Sequence, residues 1–315
     1  MAVPTNTVQT YQQVGIREQL ADVIYRKDPE ETPLFTALKK TKANNTYVEW
    51  LTDTLRASAA NAHVEGDDVA PSARTAQTRL GNYTQIFLDA VSISDTDEAM
   101  TKAGRDKQMA YELLKVGKEQ RLDIEKALFA NQARVAGSAS VARQLAGIPA
   151  WLTTNTEVGA TGADPAGDGT DARVDGTPEA FTQTRFDDTM RSIVENSGNM
   201  KSKTVFLSPF QMDAALGFTG NNNQRNQSGV GSVSNDLVAY KTPFGEVKFQ
   251  MSLECRGRDV FVLDTSMWDI AQARPMQTKE MGKTGDNTKR FVVTELTLRA
   301  LNEKTSAIIA DNTTV

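Results

Sequence analysis

Apolar residues recur at helical spacing through one long stretch of the chain. Between Asp95 and Arg134, Ala103, Ala110, Leu113, Leu114, Gly117, Ile124 and Leu128 stand mostly three, four or seven residues apart. That spacing draws one apolar stripe along a polar rod. No proline interrupts the stretch before Gly137. Asp95 is the candidate N-cap, and Glu98, three residues on, completes a capping box. At about 1.5 Å per residue, the predicted rod is on the order of 55 Å long.

Period-two alternation marks a different region upstream. Thr46–Thr52 is rich in β-branched and aromatic residues and predicts a strand, and Gly81–Ser94, with Tyr83, Ile86, Leu88, Val91 and Ile93, predicts its hairpin partner. The segment between them, Asp53 to Leu80, carries alanine and charge but few large apolar groups. A hairpin loop normally holds about two to five residues, so this insert is disordered, functional or clamped by a partner. Residues 1 to about 30 are polar. A short helix is predicted over Val14–Tyr25, with Ile16, Leu20, Val23 and Ile24 on one side. Leu34, Phe35 and Leu38 then form a small apolar anchor beside Lys39 and Lys40. An arm without its own core is either a frayed terminus or one that crosses onto a neighbour.

After the rod, alanine-rich Val135–Ala146 predicts a second short helix, and Ile148–Leu152 a buried turn. Thr153–Thr177 is a polar loop. Thr177 and Pro178 read as N-cap and first residue of a helix carrying Phe181, Phe186, Met190, Ile193 and Val194 and ending near Gly198. Thr204–Leu207 predicts a strand, and Ser208–Pro209 opens a helix that ends at Gly217. Asn221–Ser234 offers almost nothing to bury. Leu237–Tyr240, Glu246–Gln250 and Asp259–Leu263 predict strands. Met276–Lys289 reads as a loop, and Phe291–Leu301 as an alternating strand with Val292, Leu296, Leu298 and Ala300 facing one way. No repeat of twenty to fifty residues is present, which argues against solenoids and propellers.

Composition narrows the classes. The chain has 315 residues, 24% charged and 39% hydrophobic, with 35 basic and 40 acidic side chains and a net charge of -5. A protein that coats nucleic acid shows a basic excess, which is missing here. Cys255 is the single cysteine, so no intramolecular disulfide forms, in keeping with a reducing cytoplasm. The N-terminus has neither the basic head nor the apolar run of a signal peptide. Runs such as Val260–Leu263 are far too short to span a bilayer.

Candidate chemistry is sparse. His63, the only histidine, lies in the polar insert, and no G-x-S-x-G stands in the chain. One histidine and one cysteine rule out an ordinary structural zinc site. Gly282-Lys283-Thr284 resembles the end of a phosphate loop, but Gln277 stands where its first glycine belongs. Gly167–Ala172 has the loose form of a dinucleotide turn, without a preceding strand and with Asp168 opposed to phosphate. Asp164, Asp168, Asp171 and Asp175 are candidate calcium ligands whose spacing misses the EF-hand pattern; a solvated loop is the simpler reading. Neither cofactor nor catalytic group is expected. Glu65, Asp67 and Asp68 form an acidic tip opposite Arg56, Arg74 and Arg79. Those charges are either solvated and worth little or fix register between subunits.

The order of polar arm, extended two-stranded loop, long helix and mixed domain with a last alternating strand resembles the Hong-Kong-97-type major capsid proteins of tailed phages. Val3–Thr7 with Gln9–Tyr11, Glu31–Pro33, Val64–Asp68, Arg79–Gln85 and Lys283–Asp286 look closer still to one branch of that family. The resemblance implies an α+β fold: an N-terminal arm at 1–41, an extended loop at 42–94 lying over an adjacent subunit, and a peripheral domain with a spine helix at 95–177. An axial domain follows at 178–275, and the chain returns to the peripheral domain at 276–315. It implies a non-enzymatic shell subunit in the virion, assembled in the host cytoplasm as hexamers and pentamers around double-stranded DNA held without sequence specificity. No membrane is involved; separate scaffolding, portal and decoration proteins are the further partners. Expected at the subunit interface are Trp50, Arg56, Glu65, Asp67, Asp68, Arg74 and Arg79 of the extended loop, and Asn221 and Arg225 of the axial loop. An encapsulin-like compartment shell shares the fold, and an unrelated α/β enzyme is the remote alternative.

Overall fold

The computed structural model describes residues 31–68, 71–102, 107–198, 203–218, 239–242 and 244–314. The expected helix at Val14–Tyr25 and the Asn221–Ser234 loop, with Asn221 and Arg225, lie outside the described residues. In chain order the elements are α1 (Pro33–Ala37), β1 (Lys39–Lys42), β2 (Tyr47–Thr52), β3 (Thr78–Tyr83), β4 (Gln85–Ser94), α2 (Asp95–Ala99), α3 (Gln108–Phe129), β5 (Thr156–Glu157), α4 (Gln183–Ser197), β6 (Lys203–Leu207), α5 (Pro209–Leu216), β7 (Ala239–Thr242), β8 (Gly245–Met251), β9 (Val260–Asp264), β10 (Trp268–Glu280), β11 (Asn287–Ala300) and β12 (Ala307–Ile309).

Three sheets organise them. A four-stranded sheet runs β1-β10-β11-β4, a six-stranded sheet runs β5-β12-β9-β6-β8-β7, and β2 pairs with β3 as a separate ribbon. β12 belongs to the six-stranded sheet although it lies in the 276–315 segment, and Trp268–Pro275 belongs to the four-stranded sheet although it lies in 178–275. The central strands β6, β9 and β12 of the six-stranded sheet are buried on both faces. Val205, Leu207, Val260 and Val262 pack toward α4 and α5 with Phe186, Met190 and Ile193. Phe206, Phe261 and Leu263 face the other core, with Ile124, Leu128, Phe129 and Trp151. Phe129, at the end of α3, stands 6.1 Å from Phe206 and 5.3 Å from Phe261, ring centre to ring centre. Both faces of a buried strand must be apolar, which explains the unbroken Val-Phe-Val-Leu run of β9.

Several expectations need correction. The rod is broken. Ser94, not Asp95, caps α2 by accepting from Asp97 N, and α2 ends where Met100 turns extended. Glu98 caps the next helix instead: its Oε2 accepts from Gln108 N at 3.1 Å and Met109 N at 3.2 Å. With 22 residues, α3 is about 33 Å long. Its buried side is Met109, Val116, Gln120, Ile124 and Leu128, whereas Leu114 is 65% exposed. Gln120 is buried because it donates to Val292 O and accepts from Thr294 Oγ1, fastening the helix to β11. Val135–Ala146 is not helical; Val135 and Gln144 form a reciprocal backbone bridge. α4 starts at Gln183 with Thr182 as its cap, because Glu179 is drawn into a backbone bridge with Asn312. The end at Gly198 holds, in the left-handed conformation that suits glycine. Met276–Lys289 is mostly strand: β10 and β11 form a long hairpin, and β11 also pairs along ten residues of β4. The ladder shifts around Pro275, which has no N–H to give.

Candidate assembly interface

The predicted hairpin partner Gly81–Ser94 splits at Thr84. β3 pairs with β2 in the ribbon, while β4 leaves to join the four-stranded sheet. The ribbon has a fixed root. Trp50 is buried against Trp151, ring centres 5.3 Å apart. Buried Asn82 accepts from Ala146 N at 2.9 Å and donates to Leu298 O at 2.9 Å. Gly81 leaves room for the Tyr47 ring, which a Cβ there would meet at 2.5 Å, and Arg134 donates to Gly81 O and lies 5.5 Å over that same ring.

Above this root the chain is bare. Every described residue from Asp53 to Gln77 is exposed and none lies in a strand or helix. Leu55 is 99% and Val64 80% exposed. The tip folds only on itself. Asp67 N donates to Val64 O, Gly66 takes a positive φ of 85°, and the His63 ring lies 3.1 Å from Asp67 Oδ2 and 3.0 Å from Asn61 Oδ1. Of the expected interface residues, Arg56, Glu65, Asp67, Asp68 and Arg74 all lie exposed in this insert. Arg56 donates to Ala57 O. Arg79 stands on β3 and pairs with Glu49 across the ribbon; that hydrogen bond and the charge raise its pKa. Trp50 is enclosed by its own subunit, so it supports the insert from below.

An open cleft of about 500 Å³ lies between the start of α3 and the β10–β11 hairpin, lined by Ile93, Met109, Leu113, Leu114, Thr278 and Arg290. Glu98 and Lys107 also line it, and the Glu98 carboxylate is taken up by the first amides of α3. Among the described residues no cluster of three or more His, Cys, Asp and Glu side chains is arranged for a metal. The candidate calcium ligands are taken singly: Asp164 by Arg173, Asp168 by Thr170, Asp171 by Ala166 N, and Asp175 by Arg256. Gly282–Thr284 lies in the hairpin turn, where Lys283 pairs with Asp95 at 2.8 Å. Cys255 is buried, and burial pushes its thiol well above the usual range. Among the described residues no helix is long and apolar enough to cross a membrane.

The sequence reading passed over a set of buried charges. Lys203 and Asp264 form an enclosed ion pair at 3.0 Å. Asp259, Asp175 and Asp311 share Arg256 and Arg258, tying the 159–177 loop and the C-terminal segment to the loop before β9. Burial lifts Asp259 to about 6 despite Arg256. Glu125 was readable in principle, since it stands three residues from Leu128, on the apolar stripe of α3.

The whole architecture recurs in solved capsid structures. It is similar to a subunit of the cyanophage A-1(L) capsid, with a TM-score of 0.69 at 12% identity over 98% of this chain and 99% of that one. It also resembles a chain of the capsid of a native GTA particle, with a TM-score of 0.64 at 9% identity over 96% and 98%, and a chain from a structure of Microbacterium phage Oxtober96, at 0.58 and 13% over 94% and 96%. A major capsid protein of Escherichia phage Phieco32 is 36% identical over 135 residues, which span 42% of this chain and 38% of that relative. The sequence profile of the SU10 major capsid protein family matches residues 3–313. The chain belongs to that family.

Proposed function

We propose that this protein is the major building block of a tailed-phage head. Many copies assemble as hexamers and pentamers into a closed icosahedral or prolate shell around double-stranded DNA. The observation that carries this reading is the insert at 53–77, rigid at its root and uncovered along its length. Leu55 and Val64 are costly to leave in water and cheap to bury against a second copy. The charges of Arg56, Glu65, Asp67, Asp68 and Arg74 then fix register and exclude wrong partners. Residues 1–41 act as the arm, 42–94 as the extended loop, α3 as the spine of the peripheral domain, and the region of the six-stranded sheet as the axial domain. Asn221 and Arg225 belong to the crowded centre of the capsomer. Contacts of this kind are heterologous and close around rotation axes. The net charge of -5 suits an inner wall that does not grip packaged DNA. The subunit is structural rather than catalytic. It is built into the virion after assembly in the host cytoplasm, with scaffolding, portal and decoration proteins as separate partners.

Deleting Ala57–Ala73 tests the assignment. The two cores stay intact, so the variant folds and melts within a few degrees of the parent, yet sediments as a monomer. Shells of normal size from the deleted chain would refute the role given to the insert.

A further inference from the structure

The anchor of the N-terminal arm is fastened by something other than apolar burial. Leu34 and Leu38 are enclosed, and Phe35 nearly so, which by itself holds α1 in place. Yet the first two amides available in α1 are aimed at one carboxylate. Leu34 N donates to Glu125 Oε1 at 2.9 Å and Phe35 N to Glu125 Oε2 at 2.7 Å. Ser252 Oγ, just past the end of β8, donates to Glu125 Oε1 at 3.3 Å. One side chain on α3 thus joins three segments that are far apart in sequence.

The arrangement is expensive. Glu125 is fully buried, and among the described residues it has no cation. Burial raises its pKa, the two amides and Ser252 pull it down, and the nearby charge of Glu254 raises it further. A buried carboxylate without a cation is harder to keep than an apolar group of similar size. What the carboxylate adds is direction. Two N–H···O bonds to one carboxylate add a directional tie that the apolar contacts of Leu34 and Leu38 do not supply.

We propose that Glu125 is a coupling latch: it sets the orientation of α1, the anchor of the arm, and ties it to α3 and to the end of β8. A neighbouring copy that pulls on the arm then either moves α3 or breaks the three bonds. The neighbour in this statement rests on the shell reading above; the latch itself does not.

Glu125→Gln replaces one acceptor by an N–H donor facing α1, and Glu125→Asp keeps the charge but shortens the reach; the second serves if the first fails to fold. Hydrogen exchange on dissociated subunits reads the latch alone. The amides of Leu34 and Phe35 should exchange at least about tenfold faster, the loss expected for one charge-assisted hydrogen bond, while the middle of α3 keeps its protection. Shell assembly reads the coupling: either variant should give fewer closed particles with a broader spread of diameters. Unchanged exchange at Leu34 and Phe35 in both variants would overturn the latch. Faster exchange with particles of parental yield and diameter would overturn the coupling. A parent chain that forms no shells would sink the proposed function and leave the exchange result standing.

Discussion

Asp259 carries a charge that works against the fold. It is fully buried, Arg256 Nη1 reaches its Oδ2 at 2.8 Å, and its Oδ1 has no hydrogen-bond partner. Asp175 and Asp311 oppose its ionisation, while Arg256 and Arg173 favour it. Burial outweighs the arginines, and the carboxyl titrates near about 6 against an ordinary 3.8. The folded state therefore holds a proton that the unfolded chain has already released. The stability linked to that proton is fully present below about 3.8 and is lost as the pH rises through about 6. At roughly 1.4 kcal/mol per pH unit, the ionised form weighs against the fold by about 3 kcal/mol at neutral pH. Asp259→Asn keeps an acceptor for Arg256 and removes the charge. Its melting temperature should exceed the parent's at pH 7.5, and the gap should shrink by pH 4.5 and close below about 3.8. A gap that stays constant or reverses across that range contradicts the account. Nothing in the local sequence of Asp259 announces this behaviour. It arises because folding buries the carboxyl and brings Asp175 and Asp311, far away in the chain, close to it.

The break between α2 and α3 shows how elements depend on such distant partners. Glu98 leaves its own helix and satisfies the first amides of α3. Removing it by Glu98→Ala leaves those N–H groups without their acceptor and should cost about 1 kcal/mol, measured as a drop of a few degrees in thermal melting and faster exchange at Met109. An unchanged melt would mean that water serves the helix start as well. The elements legible in the sequence were those defined by their own residues. α5 announced itself through Ser208, Pro209 and Gly217, and β6 and β9 through short apolar runs. Val135–Ala146 was misread because alanine favours a helix, while the Val135–Gln144 bridge and the bond from Arg143 to Glu295 hold it extended. Met276–Lys289 was misread because Pro275, Gly282 and a run of charges hide two strands that form only when β11 finds β4. The uncovered insert was the more legible part. A stretch such as Asp53–Gln77, without large apolar groups, has no means of joining a core wherever the chain goes. The part that escaped notice was its support, since Trp50 meets Trp151 and Asn82 meets Leu298 only after folding.

At the scale of the molecule, two cores share the six-stranded sheet, and the β2–β3 ribbon projects from the first of them. Along that projection Leu55 and Val64 stay exposed, and Leu114 does so beside the cleft. In the proposed shell, neighbouring copies cover Leu55 and Val64. The most direct measurement is cryo-electron microscopy of particles formed by the intact chain, at a resolution that traces residues 53–77. Closed shells in which the insert of each copy lies against another copy, with Leu55 and Val64 covered, are the predicted result. A chain that stays monomeric at high concentration beside the other head proteins of its phage, or shells in which the insert touches no neighbour, would contradict the account.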